Sequence, residues 1–113
     1  MKKLVEIRSY NLKPGMREKF HRLARELSLP MLKRWGVDVV AFGPSHHDDI
    51  SYYLIRAYDS SEHRQSSQDA FYGSSEWRDG PREAIVSLID SHTSIVLEMD
   101  SSTVDALRKG DGQ

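Results

Sequence analysis

The 113 residues, with a formal net charge of −1, 38 % apolar and 29 % charged side chains, are enough for one domain with one modest core. The near-neutral balance excludes a global basic field for nucleic acid, and the absence of cysteine excludes disulfides, thiol catalysis and Cys-ligated zinc. No run approaches the roughly 20 apolar residues of a membrane helix, and Glu6 and Arg8 interrupt any signal-like stretch behind Lys2 and Lys3, so a cytoplasmic protein with no nucleic-acid partner and no membrane insertion is expected.

Residues 3–11 alternate, with β-branched or small odd positions, and read as a strand. Lys13-Pro14-Gly15 punctuates it, and Pro14 suits a helix entry. Met16, Phe20, Leu23, Leu27 and Met31 then recur at helical spacing. Glu18 stands one turn before Arg22, and Arg17, Arg25 and Lys33 occupy the face expected to be solvated. Pro30 is expected to bend or stop this helix, and Gly36 to close it. Residues 37–42 form a second apolar strand, residues 43–49 a polar loop, and residues 51–58 a third strand, together a hairpin with a long tip. Asp59 with Glu62 has the form of a capping box, so a second helix runs to about Tyr72 and ends at Gly73. Ser74 to Trp77 restarts a helix, Gly80-Pro81 interrupts it, and Ala84, Ile85, Leu88 and Ile89 continue an amphipathic face. Residues 93–99 are the last strand. The domain is expected to span residues 1–100, followed by a flexible polar tail at 101–113 with one weak turn near Val104.

Strand, helix, strand, strand, helix, strand is the order of a ferredoxin-like α+β fold: a four-stranded antiparallel sheet with helices on one face. The first strand then lies between the third and fourth. Strand ends suggest Glu6 opposite Arg56, Arg8 near Leu54, Tyr10 near Tyr52 and His92, and Leu4 near Glu98. Alternation separates two faces. Val5, Ile7, Ser9, Tyr53, Ile55 and Ala57 are small or apolar and suit burial under helices. Glu6, Arg8, Tyr10, Tyr52, Leu54, Arg56 and Tyr58 mix rings with opposite charges and suit shelter by a second copy of the sheet, which predicts a homodimer.

Each candidate for chemistry carries a plainer alternative. Arg8, Tyr10, Tyr52 and His92 could form a polar pocket that holds an anion or enolate and moves protons. The plainer reading is favoured, because interfaces use Tyr and Arg for packing alone: an interface network that also takes in the Glu6–Arg56 pair. Trp77 with Arg78 and Arg82 could line a ligand mouth, or the indole could fill a gap between a broken helix and the sheet. Tyr53, with Phe20 near it, could meet a ligand under the helices. Its hydroxyl could instead bond Ser9 or backbone. His46-His47-Asp48-Asp49 is expected to be a solvated tip rather than a metal site. His21 and His63 are expected to be exposed. No phosphate loop or Ser/His/Asp signature occurs.

The string Val5-Glu6-Ile7-Arg8-Ser9-Tyr10-Asn11-Leu12-Lys13-Pro14-Gly15 resembles the R-x-Y-x-L-x-P-G junction of the NIPSNAP family. Trp35-Gly36, Phe42-Gly43, Tyr52 to Tyr58, Glu76-Trp77-Arg78 and Ser91-His92 follow in the same order, so the similarity covers roughly residues 3–99. It implies the dimeric α+β barrel superfamily, whose relatives include cofactor-independent monooxygenases of polycyclic phenols and haem enzymes. Their ligands lie between sheet and helices, which favours Tyr53 and Trp77 over the other cluster. No histidine is suitably situated as an axial haem ligand, so no cofactor is expected. Fold analogy does not decide the reaction. The leading expectation is a homodimer binding a small, partly aromatic metabolite, with cofactor-free oxygenation or proton transfer as its chemistry. The alternative is a non-catalytic dimeric interaction or scaffold module.

Overall fold

The computed structural model describes residues 1–110. Its elements are β1 (Lys2–Leu12), α1 (Arg17–Leu23), a π-helical turn (Ala24–Ser28), α2 (Leu29–Arg34), β2 (Asp38–Pro44), β3 (Ser51–Tyr58), α3 (Ser61–Tyr72), α4 (Ser75–Arg78), α5 (Arg82–Val86), β4 (Ile89–Asp100) and α6 (Ser101–Gly110). The sheet is antiparallel in the order β2-β3-β1-β4. This is the ferredoxin-like arrangement expected from the sequence. The register also agrees: Glu6 faces Arg56, Arg8 faces Leu54, and Tyr10 lies between Tyr52 and His92.

The two faces are exchanged relative to expectation. The helices cover the even-numbered face, where Tyr10, Leu12, Tyr52, Leu54 and Tyr58 pack with Phe20, Leu29, Leu32, Phe71, Trp77 and Ile85. The odd-numbered face packs Val5, Val40, Ala41 and Ala57 against Val104 of α6 and, among the described residues, has no other helix over it. The polar face can go under helices because α3 carries matching polar groups. Arg64, Gln68, Phe71 and Tyr72 recur at one helical face, and the first two bond to the sheet's charges.

The segment expected to be a flexible tail folds, over residues 101–110, as α6. Val104 is 2 % exposed, a burial that contributes about 1.5–2 kcal/mol. Arg108 holds both Asp38 oxygens, at 2.6 and 2.7 Å. Residues 111–113 of that expected tail lie outside the described residues.

The first helix does not stop at Pro30. It absorbs the proline with the π-turn just before it, where the Leu29 N–H reaches back to the Ala24 carbonyl. Proline lacks the donor that an α-turn would need there. The extra residue rotates the apolar stripe, so Leu27 is exposed and Ala24, Leu29 and Leu32 turn inward. Arg17 is not simply solvated either: its Nη1 donates to the carbonyls of Ser45, Asp48 and Ser51 and ties the hairpin tip to α1. α3 is capped by Ser60, which accepts from the His63 N–H, rather than by Asp59. Gly36 takes φ +79° after α2, a conformation that favours glycine. Among the described residues no helix is long and apolar enough to cross a membrane.

Candidate functional site

Glu6, on the central strand, is fully buried and accepts five hydrogen bonds. Arg56 Nη2 and Gln68 Nε2 donate to Oε1 at 2.9 and 2.6 Å. Arg8 Nη2, Arg64 Nη2 and Ser94 Oγ donate to Oε2 at 3.0, 3.2 and 2.9 Å. Burial alone would raise the Glu6 carboxyl. The charges of Arg56 and Arg8, with bonds from Arg64 and Ser94, overcome it and hold the group at about 2. Arg56 is equally buried and donates Nη1 to the Tyr72 hydroxyl at 2.8 Å, its guanidinium lying 5.9 Å from that ring's centre.

Beside this network lies a cleft of about 310 Å³ between the sheet and the helices. Its floor is Arg8 and Tyr10 of β1 with His92 of β4, and its opposite wall is Tyr72, Trp77, Ile85 and Val86. A β-bulge at Asp90, where Leu12 pairs with Ile89 and Asn11 with Ser91, opens the start of β4 at the mouth. Trp77 is fixed from several sides. Its backbone N–H caps on Ser74 Oγ at 3.2 Å, and its ring meets Tyr72 edge-on at 5.7 Å and Phe71 at 5.4 Å. The short α4 is anchored through Glu76, which accepts from Arg34 and, at 2.8 Å, from the Trp35 indole. Tyr10 lies 6.1 Å from the His92 ring, and burial together with nearby Tyr72 pushes its hydroxyl up to about 12. It stays a proton donor at any ordinary pH.

The structure joins candidates that the sequence reading kept in separate groups. Arg8, Tyr10 and His92 share one cleft with Trp77, while Glu6 and Arg56 lie immediately behind it. They sit under the helices rather than on the open face. Tyr52 is held apart by Phe20, whose ring stands 4.9 Å from Tyr52 and 5.3 Å from Tyr10. Its hydroxyl shares a 2.6 Å hydrogen bond with His21 Nδ1, so His21 is half-buried and burial lowers its pKa. Phe20 borders an almost filled void of about 40 Å³ rather than the cleft. Tyr53 is on the opposite face, against Gly43, where an added Cβ would meet its hydroxyl at 3.4 Å. Arg82 is exposed and pairs with Glu83. Tyr72, Arg64, Gln68 and Ser94 escaped the sequence reading. The first three were legible as a helical stripe, had a polar stripe been matched to a polar strand face. Among the described residues no group of three or more His, Asp or Glu could hold a metal ion.

A four-stranded antiparallel sheet in this order, with a cleft between it and its helices, defines an α+β protein of the ferredoxin-like class. The NIPSNAP family profile matches residues 5–102, and the chain belongs to that family. Solved structures agree on the fold. A NIPSNAP family protein from Agrobacterium tumefaciens is 16 % identical, with a TM-score of 0.79 over 88 % of this chain and 87 % of its own. An uncharacterised NIPSNAP domain protein from Burkholderia xenovorans is 19 % identical, with a TM-score of 0.77 over 87 % of this chain and 95 % of its own. A putative antibiotic biosynthesis monooxygenase from Bordetella bronchiseptica is 18 % identical, with a TM-score of 0.66 over 89 % and 98 %. Among curated proteins, none matches the chain.

Proposed function

We propose that the chain binds a small, partly aromatic molecule in the cleft between Arg8, Tyr10 and His92 and the Tyr72–Trp77–Ile85 wall, as one half of a homodimer. The observation that carries the binding is the cleft itself. About 310 Å³ walled by two aromatic rings and an isoleucine, with a few convergent polar groups, has the make-up of a small-molecule site. Support for the dimer comes from the open odd-numbered face, where Ile95 is 63 % exposed beside the half-covered Ile7 and Ile55. The chemistry such a cleft suits is proton transfer on an enolate or phenolate, or its oxygenation without a cofactor. The Tyr72 hydroxyl accepts from Arg56, which polarises its own proton towards an oxyanion. His92 at the rim can exchange a proton with water. The likeness to the Bordetella protein supports the oxygenation reading through the fold only.

Thermal shift against flat aromatic compounds tests the site. A specific ligand at 100 times its dissociation constant stabilises by about 2.7 kcal/mol. Val86→Trp, which fills the cleft from a partly exposed position on α5, removes that shift without touching the core. A library that leaves wild type unmoved overturns the binding reading and leaves the non-catalytic dimeric module.

A further inference from the structure

The ionic network behind the cleft is unbalanced. Three guanidinium groups, on Arg8, Arg56 and Arg64, share the one carboxylate of Glu6. Gln68 and Ser94 complete the cluster without adding negative charge. Two of the buried donors, Arg56 Nε and Arg64 Nε, have no partner among the described residues. With Arg56 wholly buried against Glu6, the surplus falls on Arg8 and Arg64, whose side chains are 14 % and 25 % exposed, and positive charge so largely withdrawn from water is costly unless something neutralises it.

The surplus has outlets to the cleft. Arg8 lines it directly, with Nη2 on Glu6 and Nε on Ser94 Oγ at 3.2 Å, which fixes its guanidinium in position. Tyr72 lines it too, its hydroxyl already accepting from Arg56, so its proton is left to donate. Among the described residues lining the cleft the one acid is Asp90, which stands exposed at the mouth where water screens it. Tyr10, Ser91 and His92 add uncharged polar groups, and the apolar lining is Trp77, Ile85, Val86 and Ile89.

We infer that the ligand of this cleft is an organic anion with a flat apolar body, an aromatic carboxylate in the simplest case, its oxygens held by Arg8 and Tyr72 and its ring against Trp77. The inference rests on the cleft being a ligand site, and it adds the charge. Charge-assisted bonds from a fixed guanidinium discriminate an anion from its neutral isostere by at least about tenfold.

Titration with 1-naphthoate and with 1-naphthamide, followed by tryptophan fluorescence, compares the same ring with and without the charge. The carboxylate is expected to bind at least about tenfold tighter at low salt, with the gap narrowing at 0.5 M sodium chloride, a value chosen for its short screening length of about 4 Å. Arg8→Gln is expected to erase the gap while the amide still binds. Arg64→Gln, at a partly exposed position, is expected to narrow it if Arg8→Gln fails to fold. Equal or tighter binding of the amide overturns the anion inference and leaves the cleft reading standing. Binding of neither compound at millimolar concentration overturns both.

Discussion

The two faces of one sheet obey different rules. On the helical side, Glu6 and Arg56 are wholly buried, Glu6 held by side chains of β1, β3, β4 and α3, and Arg56 by Glu6 and Tyr72. On the other side, Val5, Ile7, Ile55, Ala57 and Ile95 offer no hydrogen-bonding side-chain groups, yet among the described residues only α6 lies over part of them. Chemistry alone would place the aliphatic face inside. Burial instead followed the availability of partners. A polar layer can be covered when its cover brings complementary donors, whereas an aliphatic layer can await any apolar surface, including a second copy. The face with specific partners is also the one that borders the cleft.

The largest expected effect comes from emptying the centre of the polar layer. Glu6→Gln removes the carboxylate from between three arginines and is expected to cost about 3–5 kcal/mol, read by denaturant unfolding. A loss under about 1 kcal/mol, the scale of a surface pair, would show that this layer is not a buried polar core.

The same residue sets a pH dependence. Its folded pKa of about 2 lies below the ordinary 4.5. The stability it contributes is therefore complete above about pH 5 and is lost as pH falls through 4.5 toward 2, on the order of 3 kcal/mol in all. Melting curves between pH 6 and 2.5 (a range spanning most of that window) should show wild type falling steeply. Glu6→Gln should fall less, so that the two converge at the acid end. Parallel curves would place the acid sensitivity in other carboxylates.

Element order, strand register and the α3–α4–α5 breaks were legible because each depends on local signals: alternation, Ser74 as a cap, Gly80-Pro81 as a stop. Which face meets the helices was not, because it depends on pairing between Arg64 and Gln68 of α3 and strand residues 58 and 62 positions away. Tyr53 was misassigned by the same step, since one reversal moves every odd residue to the other side. Trp77 and Arg8 were each legible as candidates but not as neighbours, because the distance between β1 and α4 is a property of packing. The sequence shows at Val104 only a weak turn, and not its burial, because Val104 and Leu107 in a Ser- and Asp-rich stretch make too short an apolar set to signal packing.

α6 provides a smaller test of the aliphatic side. Val104→Ala removes two methyl equivalents from the cluster with Val5, Val40 and Ala57 and is expected to cost about 1.5–2 kcal/mol. Arg108→Ala breaks a two-pronged pair with Asp38, but both partners are more than a third exposed, so screening holds its cost below about 1 kcal/mol. Equal costs for the two would mean that α6 is held by its ion pair rather than by its apolar contact.

The smallest expected change in protomer stability is also the one that bears on assembly. Ile95→Asp alters a side chain 63 % exposed, so unfolding of the isolated protomer should shift by no more than about 0.5 kcal/mol. If the bare half of the sheet is where a second copy sits, the same substitution buries an unpaired carboxylate in the joint face, and self-association should collapse. Sedimentation velocity at micromolar concentration separates the two: wild type as a dimer of the 13.0 kDa chain, the variant as a monomer with its fold intact. A wild type that sediments as a monomer, or a variant that remains dimeric, would mean that the aliphatic face does not mediate assembly, and the contrast between the faces would then concern folding alone.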